Sequence, residues 1–234
     1  MLGTQAVRND IPDVLYKFLL PEHAERMVEA GLVRVGTLFE FRALEGDDPE
    51  RGDSGEGSLL LHSDTGPRVY NSTAELPPVL RQMGIECGPG GLATKGENAF
   101  VIQSGAPNML VYCVSDRFDR AGLGEWGGAC VRISEPVRFF LALDGAVRSE
   151  MALRGRPLGQ LQVGRCCYVD RRHNWHKAVP APWLLKPARF EHQSELRAGW
   201  TVGDGRDVET LLVSSPEVAA VCGIAEGADL SGAT

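Results

Sequence analysis

Glu195 and Arg197 close a polar stretch that runs Leu185-Lys186-Pro187-Ala188-Arg189-Phe190-Glu191-His192-Gln193-Ser194-Glu195-Leu196-Arg197. A helix through this stretch puts Glu191 and Glu195 on one face. A strand beginning at Glu195 instead puts Glu195 and Arg197 on one sheet face, where both can converge on a single ligand. A carboxylate at a sheet edge can orient a ribose hydroxyl and stabilise an oxocarbenium cation as it develops. The plainer use of these residues is a surface salt-bridge network, worth little energetically. A second cluster is Met109-Leu110-Val111-Tyr112-Cys113-Val114-Ser115-Asp116-Arg117, an apolar strand that delivers Ser115, Asp116 and Arg117 to a sheet rim. Tyr112 belongs either to that site or to the core, with its hydroxyl on a carbonyl.

Two further clusters offer other chemistries. In Arg51-Gly52-Asp53-Ser54-Gly55-Glu56-Gly57 the carboxylates can take a cation or ribose hydroxyls, with Arg51 on a phosphate. The same residues also make a solvated loop held by Asx turns, and their spacing completes no calcium loop. Cys166, Cys167, His173 and His176 invite a zinc reading. Adjacent cysteines on a strand point to opposite faces, however, so no metal is expected there. No GxGxxG directly follows an expected strand, and no P-loop, HExxH or GxSxG is present, which removes support for Rossmann hydride transfer, P-loop phosphoryl transfer and serine-hydrolase chemistry.

These residues need a frame to position them. The 234 residues include 24 Lys and Arg against 31 Asp and Glu, a net charge of −7 that argues against coating nucleic acid by bulk charge. With 28 Gly and 14 Pro the chain is loop-rich, which favours a sheet-based fold over a helical bundle. Strands are expected at 14–20, 32–38, 58–62, 68–70, 99–103, 109–115, 129–133, 163–168 and 195–200, from their β-branched and alternating residues. Pro21 to Gly31 reads as a helix with Pro at its first turn and Gly at its end, and Pro136 to Leu143 as a helix packed on the sheet. The expected organisation is a leader over 1–13, one α+β domain over 14–225 with mixed or antiparallel sheets, and a fraying tail over 226–234. Residues 71–98 read as a loop-rich insertion with one helical turn near Val79–Met83. The six scattered cysteines, the lack of an apolar signal core and the lack of a run long enough to span a bilayer point to a reduced, cytoplasmic protein without a membrane partner.

Taken in order, the pieces resemble a bacterial family with a Tyr-Lys-aromatic start (Tyr16-Lys17-Phe18) and a Glu-x-x-x-Glu-x-Arg end (Glu191, Glu195, Arg197). Between these lie the acidic loop at Asp53 and Glu56, the Cys113-x-Ser115 strand and the Tyr168-x-Asp170 strand. The layout is similar to the ADP-ribosyltransferase superfamily, including its DNA-modifying toxins. That resemblance implies split sheets with flanking helices, with NAD as substrate in the cleft between two small sheets. It places Tyr16 or Lys17 in the first role, Ser115 or Tyr112 in the second and Glu195 in the third. Glu195 is then the electrostatic partner of the ribose, Lys17 or Arg51 the pyrophosphate anchor, and Tyr112 or Tyr16 the nicotinamide platform. Asp53, Glu56 and Arg197 complete the implied NAD-binding set. The superfamily's first residue is usually Arg or His, and Gln193 stands where protein-modifying members carry their first acid. This departure favours a nucleic-acid acceptor, a small molecule or water over protein arginine.

Two other functions share the residues. A binding or sensor module without turnover keeps the cleft but engages Glu195 in a salt bridge with Arg197 or Arg189. A metal-dependent nuclease or hydrolase gathers Asp47, Asp53 and Glu56 around a divalent cation.

Overall fold

The computed structural model describes residues 11–43, 55, 57–62, 68–82, 84–94, 101–118, 128–169, 172–174, 181–203 and 207–225. Its principal sheet has eight strands. The chain enters it through β1 (Leu15–Leu19), turns into helix α1 (Pro21–Ala30) and returns as β2 (Leu32–Thr37), followed by the short helix α2 (Leu38–Ala43). Strands β3 (Ser58–His62), β4 (Arg68–Tyr70), β5 (Leu92–Thr94) and β6 (Val101–Gly105) lie outside that sheet, with helix α3 (Pro78–Gln82) between β4 and β5. Then come β7 (Met109–Ser115), β8 (Ala129–Ile133), the long helix α4 (Pro136–Leu153), β9 (Gln162–Arg165), β10 (Cys167–Tyr168), β11 (Arg172–Asn174) and β12 (Leu185–Lys186). The chain closes with β13 (Glu195–Thr201), β14 (Leu211–Ser214), helix α5 (Pro216–Ala219) and β15 (Cys222–Ile224). The result is an α+β protein whose pairs are mostly antiparallel, as its composition and strand spacing suggest. Among the described residues no helix is long and apolar enough to cross a membrane.

β7 organises the sheet. One of its edges is taken along its whole length by β13, from Glu195 opposite Ser115 to Thr201 opposite Met109. Its other edge is divided: Tyr16 of β1 sits opposite Ser115, whereas Gly36 and Thr37 of β2 sit opposite Val111 and Leu110. Both β1 and β2 run antiparallel to β7, hence parallel to each other, and α1 bridges them in a split β-α-β unit. Tyr112, Cys113 and Val114 face the gap between them.

Alternation along β7 and β13 sorts the residues onto two faces. Leu110, Tyr112, Val114, Leu196, Ala198 and Trp200 join the main core with Met27 of α1 and Phe139, Leu143, Val147 and Met151 of α4. Trp200 Nε1 also donates to Asp144 Oδ1 at 2.8 Å, tying α4 to the sheet. The opposite face carries Met109 and Val111 under Trp183 and Leu38. Glu195, Arg197, Cys113 and Ser115 continue that face toward the end where β1 joins.

Several expectations change in detail. The helix read over Pro136–Leu143 runs on to Leu153, because Val147 and Met151 continue its buried stripe past Asp144 and Gly145. The strand read over 163–168 breaks: β9 pairs with β13, whereas β10 leaves to pair in parallel with β12. The helical turn expected near Val79–Met83 is present as α3, and the described part of residues 71–98 adds β5 and a small core in which Leu76 and Leu80 pack with Tyr70 and Leu185.

Gly31 ends α1 with φ +61° and donates its N–H to Met27 O at 3.0 Å. A Cβ there would lie 1.8 Å from the Ser215 carbonyl oxygen, which belongs to the backbone and cannot step aside. Gly31→Ala is expected to lower stability by about 2–3 kcal/mol, the sum of left-handed strain and a backbone clash. Urea denaturation of the two proteins checks this.

Candidate active site

Glu195 begins β13 instead of continuing a helix, because the preceding 3-10 turn Ala188–Gln193 ends at Ser194 with φ +45°. That left-handed residue is uncommon for a side-chain-bearing amino acid and redirects the chain into the strand. Its ends are tied down. Ser194 N donates to Glu191 O at 3.1 Å, and Ser194 O accepts from Asp116 N at 3.1 Å. The Glu195 amide donates to Tyr168 Oη at 2.6 Å, and its carbonyl accepts from Cys166 N at 2.9 Å.

The Glu195 side chain is buried at 7% exposure between two cations. Arg197 Nε donates to Oε1 at 2.6 Å, and Lys186 Nζ to Oε2 at 2.5 Å. Lys186 also donates to Gln193 Oε1 and lies 4.9 Å over the Phe190 ring. Arg197 also donates through Nη1 to the Trp183 carbonyl at 2.5 Å. Burial alone raises the Glu195 carboxyl, but the charges of Arg197 and Lys186 and the bonds from Arg197 and Cys113 outweigh it and hold the group well below the usual carboxylate range. The site therefore holds a fixed carboxylate.

The neighbouring acids stay neutral. Burial, reinforced by the Glu195 charge, pushes the Cys113 thiol up to about 12, and the same causes push Cys166 well above its ordinary value. Neither thiol is a ready nucleophile. Burial also raises the Tyr112 phenol far above its usual value.

A cleft of about 710 Å³, within the usual range for small-molecule sites, joins these groups to solvent through the gap between β1 and β2. Tyr16, Lys17, Tyr112, Ser115, Glu195 and Arg197 all line it. They reach it from different directions. Tyr16 and Ser115 share the Glu195 face. Lys17 and Tyr112 lie on the core face, where the ammonium sits 4.9 Å over the Tyr112 ring and donates to the Cys113 carbonyl at 2.7 Å. Tyr16 stacks edge-on against Phe118, with centroids 5.6 Å apart. Ser115 Oγ accepts from Arg117 N at 3.1 Å, and the Tyr112 hydroxyl makes only a 3.8 Å contact to Met27 Sδ. Arg51, Asp53 and Glu56, together with Asp47 and His176, lie outside the described residues. His173 falls on β11, and among the described residues no three His, Cys, Asp or Glu gather as a metal set.

The lining is cationic although the protein is acidic. Lys17, Arg26, Arg34, Lys186 and Arg197 face it, and Glu195 is the only acid among the described lining residues. Lys186 and Arg26 are additions to the residues singled out from sequence. Lys186 stood inside the late motif with no role, and its placement depends on β12 pairing with β10. Arg26 was signalled only by helical spacing, since His23, Arg26 and Met27 fall on one face of α1 and all line the cleft. Compared with family models, curated proteins and solved structures, the chain matches none.

Removing the carboxylate from this trio strands buried positive charge. Glu195→Gln is expected to cost about 3–5 kcal/mol at neutral pH. Because folding depresses the Glu195 pKa, the unfolded chain binds the extra proton. The ion pairs thus stabilise fully above the ordinary value of 4.5 and are lost as pH falls below it. Denaturation midpoints measured between neutral and acidic pH should fall less steeply below that value in Glu195→Gln than in the wild type.

Proposed function

We propose that this chain binds an NAD-type dinucleotide in the split-sheet cleft and cleaves its nicotinamide–ribose bond, in the manner of an ADP-ribosyltransferase-like fold. The observation that carries this reading is the meeting of Tyr16, Lys17, Tyr112, Ser115 and Glu195 in one cleft, although β1, β7 and β13 are far apart in the chain. The cationic lining suits a pyrophosphate, and the aromatic residues and apolar walls suit the two rings. Glu195 supplies a carboxylate held ionised by Arg197 and Lys186 for the positive charge that builds on the ribose. Ser115 and Tyr112 supply donors for sugar or carboxamide. In the reaction the C1′–N bond breaks and nicotinamide leaves with the electron pair. A nucleic-acid base, another acceptor or water then bonds to C1′ and gives up its proton. Lys17 acts differently from a simple phosphate anchor, since its ammonium already braces the Cys113 carbonyl across the split.

A second reading, a nucleotide-binding module without turnover, is favoured by one observation: both carboxylate oxygens of Glu195 are engaged, by Arg197 and by Lys186. Free nicotinamide separates the two. Incubation with NAD, alone and with single-stranded DNA or RNA, is expected to release nicotinamide, and folded Glu195→Gln to lose about 10²–10³ of that rate. A folded wild type that binds NAD but releases nothing would leave the binding module standing.

A further inference from the structure

We propose that Lys186 is the residue that meets the ligand's anionic group, and that in turning to it Lys186 uncovers one oxygen of Glu195. The proposal rests on the nucleotide reading of the cleft and deepens it. At rest Glu195 presents Oε1 to Arg197 and Oε2 to Lys186, and both partners are buried, Lys186 at 4% exposure, with a second hydrogen bond each. Arg197 is 1% exposed and its rigid guanidinium is anchored a second time on the Trp183 carbonyl, so turning away from Glu195 breaks both contacts. Lys186 carries a point charge on a flexible stem. Its other hydrogen bond goes to the neutral amide oxygen of Gln193, and it lines the cleft.

A phosphate entering the cleft offers several strong acceptor oxygens and its own negative charge. It competes for the Lys186 ammonium, which turns on its own flexible stem. The exchange conserves charge pairing, because the lysine leaves a carboxylate still bound by Arg197 and gains an anion. Its geometry suits a 5′-nucleotide, in which phosphate and ribose hydroxyls sit on one sugar. The phosphate takes Lys186 while the released Oε2 faces the ribose. Lys186 is thereby a positioning residue that couples ligand charge to the readiness of Glu195, and an uncharged nucleoside leaves the latch closed.

The test uses ADP-ribose, with adenosine as the uncharged control. In ¹⁵N spectra of lysine side chains, with the Lys186 signal assigned by its absence in Lys186→Arg, ADP-ribose is expected to shift that signal and adenosine to leave it in place. Calorimetry should show Lys186→Met binding ADP-ribose about tenfold or more weakly than wild type, with adenosine affinity equal in both. If wild type binds ADP-ribose with the Lys186 signal unmoved, or Lys186→Met binds it equally well, the latch is overturned and the nucleotide reading stands. If wild type binds no ADP-ribose at all, both fall. Should Lys186→Met fail to fold, the wild-type spectrum alone decides.

Discussion

The divided edge of β7 is the constraint from which the rest follows. A strand has two edges of backbone donors and acceptors, and an unpaired buried group costs about 1–3 kcal/mol. β13 satisfies one edge of β7 completely, whereas β1 and β2 each take only one end of the other. The middle is left to side chains, and Lys17 reaches across to bond the Cys113 carbonyl. That split opens a passage at the centre of an otherwise continuous sheet. It brings residues from both faces to one cavity, with α1 forming a wall because it must connect the parted strands.

Electrostatics then define what the cavity can hold. Two buried cations around one carboxylate are not a device for stability, since apolar residues of similar volume generally do as well or better. Their effect is to keep Glu195 ionised and aimed, while burial and the Glu195 charge keep Cys113 and Cys166 protonated. A fixed negative charge within a positively lined cleft suits a reaction that creates a cation on a ligand bound through its anions. It is poorly suited to thiol chemistry. The same pairing that positions Glu195 also engages both its oxygens, and the flexible lysine is the partner able to release one.

Local signals carried much of the fold. Apolar alternation marks β7 and β13, and the Pro21 and Gly31 pair brackets α1. The placement of Glu195 and Arg197 on one sheet face follows from their spacing once Glu195 starts a strand. What was not legible is non-local. Pairing in the order β14-β2-β7-β1-β8-β15 leaves no trace in any single segment, so the division of the β7 edge was invisible. Lys186 lies close to Glu195 in sequence, but its approach depends on a parallel pair with β10. Residue type gives Lys17 its charge but not its direction, although it does line the cleft. Its strand register turns it to the core face beside Tyr112. In residues 71–98 weak periodicity concealed a small core that forms only when Leu185 arrives from the other half of the chain.

The central claim is that the gap between β1 and β2 is where a dinucleotide sits, and amide hydrogen exchange with and without ADP-ribose examines it most directly. The account predicts added protection in Tyr16–Leu19, in α1 around Arg26 and in Cys113–Ser115, with little change in α4 or β15. Protection confined to α4 and β15, or unchanged exchange at saturating ligand, would contradict it.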